Sequence, residues 1–132
     1  MKENLRQKKV DDLVNHFWRN GYLTVSRKYG KYLPEPNNIG NYEVDAIGKL
    51  KKKFVIGLTL TEDELNEPKI YSKLEFLATR HTKFSNNKVT LFVGVPKELF
   101  NKVKICMTNL TAEAQKNIKI VAISNENKLN SN

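Results

Sequence analysis

The stretch YEVDAIGKLKKKFVIGLTLT, running from Tyr42 to Thr61, is where the fold is decided. Two apolar strand candidates, Tyr42 to Ile47 and Phe54 to Thr61, flank a basic segment, Gly48-Lys49-Leu50-Lys51-Lys52. That arrangement predicts a β-hairpin with a positively charged turn.

On either side of the hairpin the apolar periodicity changes from two to the helical value. Before it, Val10, Leu13, Val14, Phe17 and Trp18 fall at i, i+3, i+4, i+7 and i+8. They predict a helix over 4–19 with all five on one stripe, stopped by Asn20 and Gly21. Tyr22 to Ser26 then predicts a strand, and Tyr29 to Asn41, dense in Gly, Pro and Asn, predicts a loop.

After the hairpin, Pro68 stands where a first helical turn accepts proline, ahead of Ile70, Leu74, Leu77 and Ala78 at helical spacing. This second helix is expected to end near His81. Lys88 to Val93 predicts a strand, Pro96 opens a helix carrying Leu99, Phe100, Val103, Cys106 and Met107, and Ile118 to Ile123 predicts a last strand. The order α, β, β, β, α, β, α, β gives one α/β domain over 1–124, a mixed sheet flanked by helices. The polar residues 125–132 are expected to be a disordered tail.

Composition fits a single domain of 132 residues that is 39% hydrophobic and 28% charged. No apolar run is long enough to span a bilayer, and Met1 to Lys9 lacks the apolar core of a secretory leader. Cys106 is the single cysteine, and His16 and His81 are the two histidines, so neither an internal disulfide nor a thiol and imidazole zinc cluster can form. A cytoplasmic location follows as the expectation. Gly30, Gly40, Gly48, Gly57 and Gly94 stand alone, which leaves no glycine-rich phosphate loop.

The net charge of +9, from 23 basic against 14 acidic residues, favours polyanionic partners and points first to nucleic acid. The cations cluster: Arg27, Lys28 and Lys31 border the long loop, while Lys49, Lys51, Lys52 and Lys53 crowd the hairpin. These seven are the expected phosphate contacts. Tyr29 and Tyr32 lie among them and suit either stacking on bases or packing within the loop.

Set behind a leading helix and strand, Tyr42-Glu43-Val44-Asp45-Ala46-Ile47-Gly48 resembles the metal-binding Asp motif of the PD-(D/E)XK (restriction endonuclease-like) nuclease superfamily, nearest to the archaeal Holliday junction resolvases. The resemblance spans residues 4 to 94 and implies a restriction endonuclease-like αβββαβ core, with a helix and a strand added at the C-terminus. It also implies a Mg²⁺ site in which Asp45 meets an acid on the next strand, with a lysine two residues further on sharing that face. Here Leu58 and Leu60 stand at those two positions with Thr59 between them, and sliding the register by one offers Gly57 and Thr59. Neither register supplies a carboxylate and an ammonium.

The resemblance therefore implies a DNA-binding relative with a degenerate nuclease site and no cofactor. A homodimer would present two basic surfaces to one DNA, an arrangement the sequence leaves open. Two alternatives stand beside it. In one the chain is an active Mg²⁺-dependent endonuclease with catalytic Asp45 and Glu43, and with Glu75 recruited from the second helix beside Lys73. In the other it is a protein-interaction module whose former cleft is lined by Leu58 and Leu60. Asp45 itself is either a metal ligand or an acceptor of backbone hydrogen bonds paired with a lysine. Glu43 is either its second carboxylate or a solvated edge charge, and Asp11 and Asp12 are expected on the solvated side of the first helix.

Overall fold

The computed structural model describes residues 2–81 and 89–125, the side chains of 2–4 excepted. Lys88, the expected start of a strand, and the expected tail beyond Asn125 lie outside the described residues. Helix α1 (Lys2–Arg19) leads into strands β1 (Leu23–Arg27), β2 (Ala46–Leu50) and β3 (Lys53–Thr59). Helices α2 (Glu62–Asn66) and α3 (Ile70–Ala78) precede β4 (Thr90–Val95). A 3-10 turn at Lys97–Leu99, α4 (Phe100–Met107), α5 (Ala112–Asn117) and β5 (Ile118–Ala122) complete the elements of the described residues.

The strands form one five-stranded mixed sheet in the order β1-β2-β3-β4-β5. β1, β2 and β3 are antiparallel neighbours, whereas β3, β4 and β5 run parallel, joined by helical crossovers as parallel strands require. The domain is thus α/β, with helices on both faces of a mixed sheet.

The hairpin turns later than the sequence predicts. Gly48, Lys49 and Leu50 remain paired with Val55, Phe54 and Lys53, so the turn shrinks to Lys51-Lys52. Lys51 takes φ 56°, the left-handed backbone that a two-residue hairpin loop demands. At the other end Tyr42 leaves the strand and bridges back to Ile39.

Strict alternation assigns the two faces of β3. Val55 and Gly57 face α1, packed with Leu13, Phe17, Ala46, Phe92 and Val121. A Cβ on Gly57 would lie 2.6 Å from Leu13 Cδ2 and 2.8 Å from Phe17 Cζ, so glycine is what lets α1 close on the sheet. Ile56, Leu58 and Leu60 face the other way, into the main core with Leu74, Leu77, Leu91, Val93 and Val103. Burying each such leucine contributes on the order of 2 kcal/mol.

Trp18 departs from the predicted stripe and is 70% exposed, because the arc that meets the sheet is narrow and centred on Val10, Leu13 and Phe17. Two short helices were not anticipated. Both are set by threonine caps: Thr61 forms a reciprocal capping box with Glu64, and the Thr111 hydroxyl accepts from Ala114 N–H.

Candidate functional site

Asp45 sits one residue before β2, and its backbone is fixed on both sides. Its N–H donates to Gly57 O at 2.9 Å, and its carbonyl accepts from Lys28 N–H at 2.9 Å. It therefore stands between the end of β1 and the end of β3, aimed into a cleft of about 550 Å³ beyond the carboxyl end of β3. Arg6 and Lys9 of α1, Lys28 and Tyr29 after β1, Thr59 and Thr61, and Lys73 of α3 line its walls together with Glu43 and Glu64.

Within the cleft the carboxylate of Asp45 is nearly saturated. Its Oδ2 accepts from Thr59 N–H at 2.7 Å and from Thr59 Oγ1 at 3.1 Å, and its Oδ1 faces Lys28 Nζ at 3.8 Å. The same ammonium donates to Glu43 Oε1 at 3.1 Å. Lys28 thus lies between the two carboxylates of the expected metal motif.

The protonation equilibria follow from this geometry. Burial pushes the Asp45 carboxyl above the ordinary Asp value, more than the Thr59 hydrogen bonds and the charge of Lys28 draw it back. Glu43 is held below its ordinary value, chiefly by the hydrogen bond from Lys28. For Lys28, burial alone would lower the pKa, but the charge of Asp45 and the bond to Glu43 prevail and raise it. Of these contacts the one to Glu43 is the direct hydrogen bond, whereas 3.8 Å to Asp45 is a looser charge contact.

The residue that meets the Asp45 carboxylate is therefore Thr59, not Leu58 or Leu60. Leu58 and Leu60 are buried in the main core, so the positions read as degenerate catalytic sites belong to the packing of the opposite face; Leu60 only borders the cleft. Of the pair offered by the register offset by one, Gly57 packs against α1 and Thr59 meets the Asp45 carboxylate.

Glu75 does not reach the cleft: its Oε1 accepts from Thr111 N–H at 3.0 Å and its Oε2 from Thr111 Oγ1 at 2.7 Å, at the start of α5. Lys73, two residues earlier on the same helix, does reach it and bears electrostatically on both Glu43 and Asp45. Arg27 is not a free phosphate contact. Its guanidinium pairs with Asp11 at 2.5 Å and its Nε donates to Lys28 O. Asp12 is also engaged rather than solvated, accepting from Ser124 N–H at 2.8 Å and pinning α1 to the end of β5. His16 Nε2 meets Ala122 O at 2.8 Å on the same seam.

The remaining cations separate. Lys31 lies by the loop near the cleft, while Lys49, Lys51, Lys52 and Lys53 lie at the hairpin tip. Five residues of β2 put that tip ~17 Å from Asp45. Sequence reasoning passed over Arg6, Lys9 and Glu64. The i, i+3 spacing of Arg6 and Lys9 on α1 was the available signal for the first two, and the Thr61 to Glu64 capping box for the third.

Among the described residues no group of three or more His, Cys, Asp or Glu side chains could hold a metal ion, and no helix is long and apolar enough to cross a membrane. No family model, curated protein or solved structure matches the chain.

Proposed function

We propose that this chain binds the phosphate backbone of nucleic acid, DNA foremost, and does not hydrolyse it. The observation that carries this reading is the position of Lys28. Its ammonium lies between Glu43 and Asp45 and supplies part of the countercharge they would otherwise take from a divalent cation. Thr59, which the register offset by one would set at the lysine position, instead donates its N–H and hydroxyl to Asp45. Meanwhile Arg6, Lys9 and Lys73 project into the same cleft and form no salt bridge among the described residues. Cations around a pair of carboxylates already engaged by Lys28 suit phosphate contact rather than metal-assisted cleavage.

Fluorescence anisotropy with labelled duplex and four-way-junction DNA over a salt series tests this reading. If the three cleft cations each neutralise one phosphate, log K falls with log salt at a slope of about −3. The triple variant Arg6→Glu, Lys9→Glu, Lys73→Glu is expected to bind at least about tenfold more weakly. Salt-insensitive or absent binding overturns the proposal in favour of a protein-interaction module. Mg²⁺- or Mn²⁺-dependent cleavage that disappears in Asp45→Ala overturns it in favour of a relocated nuclease site.

A further inference from the structure

Beside the cleft, on the other flank of α1, lies a second pocket of about 330 Å³ between Gln7 and Asp11 of the helix and the loop from Tyr29 to Leu33. Tyr29 lines both cavities, so they adjoin at the start of the loop. The second cavity differs in chemistry. Its carboxylate, Asp11, is neutralised by Arg27, and its rim carries Tyr32, which is 96% exposed. The loop-packing role open to Tyr32 in the sequence is therefore not the one it takes.

An exposed aromatic ring in a cavity beside a cationic cleft suits a ligand with an accessible π-face. Base-paired duplex offers groove edges and phosphates but keeps its base faces inside the stack, whereas an unpaired nucleotide presents both a phosphate and a free face. Resting on the nucleic-acid reading above, we infer that the two adjoining cavities together take an unpaired nucleotide of a single strand. Its phosphate lies against Arg6, Lys9 and Lys73, and its base lies on Tyr29 and Tyr32. Lys31 adjoins the base pocket and extends the backbone contact beyond it.

The test is fluorescence anisotropy of the full chain with labelled oligothymidylate and, separately, a blunt duplex, for the native protein, Tyr32→Ala and Tyr32→Phe. Oligothymidylate is expected to bind about tenfold tighter than duplex, and Tyr32→Ala to remove about tenfold of that affinity, with Tyr32→Phe restoring it and duplex affinity unchanged. Because Tyr32 is almost wholly exposed, these substitutions leave the core intact. Duplex bound as tightly as oligothymidylate, with no effect of Tyr32→Ala, overturns the inference and leaves backbone binding standing. Failure to bind either ligand overturns both.

Discussion

The two ends of the β2–β3 ladder carry the same kind of residue in opposite physical states. At the hairpin tip Lys51, Lys52 and Lys53 are exposed, and Lys49 leans over the Phe54 ring at 5.6 Å. At the other end Lys28 is only 28% exposed and lies against Glu43 and Asp45, facing a carboxylate that Thr59 also grips. A lysine at the tip is bulk charge; Lys28 is part of the structure. Counting cations along the chain cannot separate these roles, because they depend on which strand ends meet across the sheet.

The largest effect that sharpens this contrast is on stability. Asp45→Ala removes the acceptor of Thr59 N–H and Oγ1 and leaves Lys28 half-buried with Glu43 alone, which is expected to cost about 2–3 kcal/mol. Lys52→Ala at the exposed tip is expected to stay within about 0.5 kcal/mol of the native protein. Urea unfolding followed by far-UV circular dichroism measures both. Equal, small losses would mean that the cleft end is as loosely held as the tip.

Much of this arrangement was legible in the sequence, and what was not has a physical explanation. The element order was readable because Leu13, Phe17, Leu74, Leu77 and Val103 repeat at helical spacing and the β3 and β4 runs are apolar enough to be buried strands. Asp45, singled out in the sequence, does line the cleft. Its partner was not, since β3 is apolar on both faces and a shift of one residue exchanges Leu58 for Thr59. Gly57 interrupts the apolar run, and its role emerges from the approach of Leu13 and Phe17. Glu75 and Lys73 are a similar case: two residues apart on one helix they point to different sides, one to Thr111 and one to the cleft.

A smaller effect distinguishes the two ends by pH. The folded protein raises the Asp45 pKa above the ordinary 3.8, so between that value and the folded one the native state holds more proton than the unfolded chain. Stability from this group is therefore present at low pH and lost as pH rises through that window. Glu43 acts in the opposite sense, contributing above its ordinary 4.5 and losing that contribution as pH falls. Urea midpoints of the native protein are expected to decline relative to Asp45→Asn as pH is raised from about 4. A Lys52→Ala variant should track the native protein throughout that range. Parallel curves for native protein and Asp45→Asn would show that Asp45 is solvated like a tip residue.

The smallest effect probes backbone strain, which the two ends share. Among the described residues only Tyr29 and Lys51 combine a side chain with positive φ, at 61° and 56°. Glycine at either position relieves the left-handed strain but adds freedom to the unfolded chain, so the net gain is about 0.5 kcal/mol. At Lys51 the turn itself demands that backbone, and Lys51→Gly should raise the thermal midpoint slightly while leaving nucleic-acid affinity unchanged. At Tyr29 the ring that accompanies the strain lines both cavities, so Tyr29→Gly should gain similar stability and lose about fivefold in affinity for oligothymidylate. On the proposed reading, strain at the tip serves only the hairpin, and strain at the cleft holds an aromatic face toward a ligand. Equal stability gains with unchanged affinity in both variants would make Tyr29 a turn residue like Lys51, and the division between the two ends would rest on the Lys28 ion pairs alone.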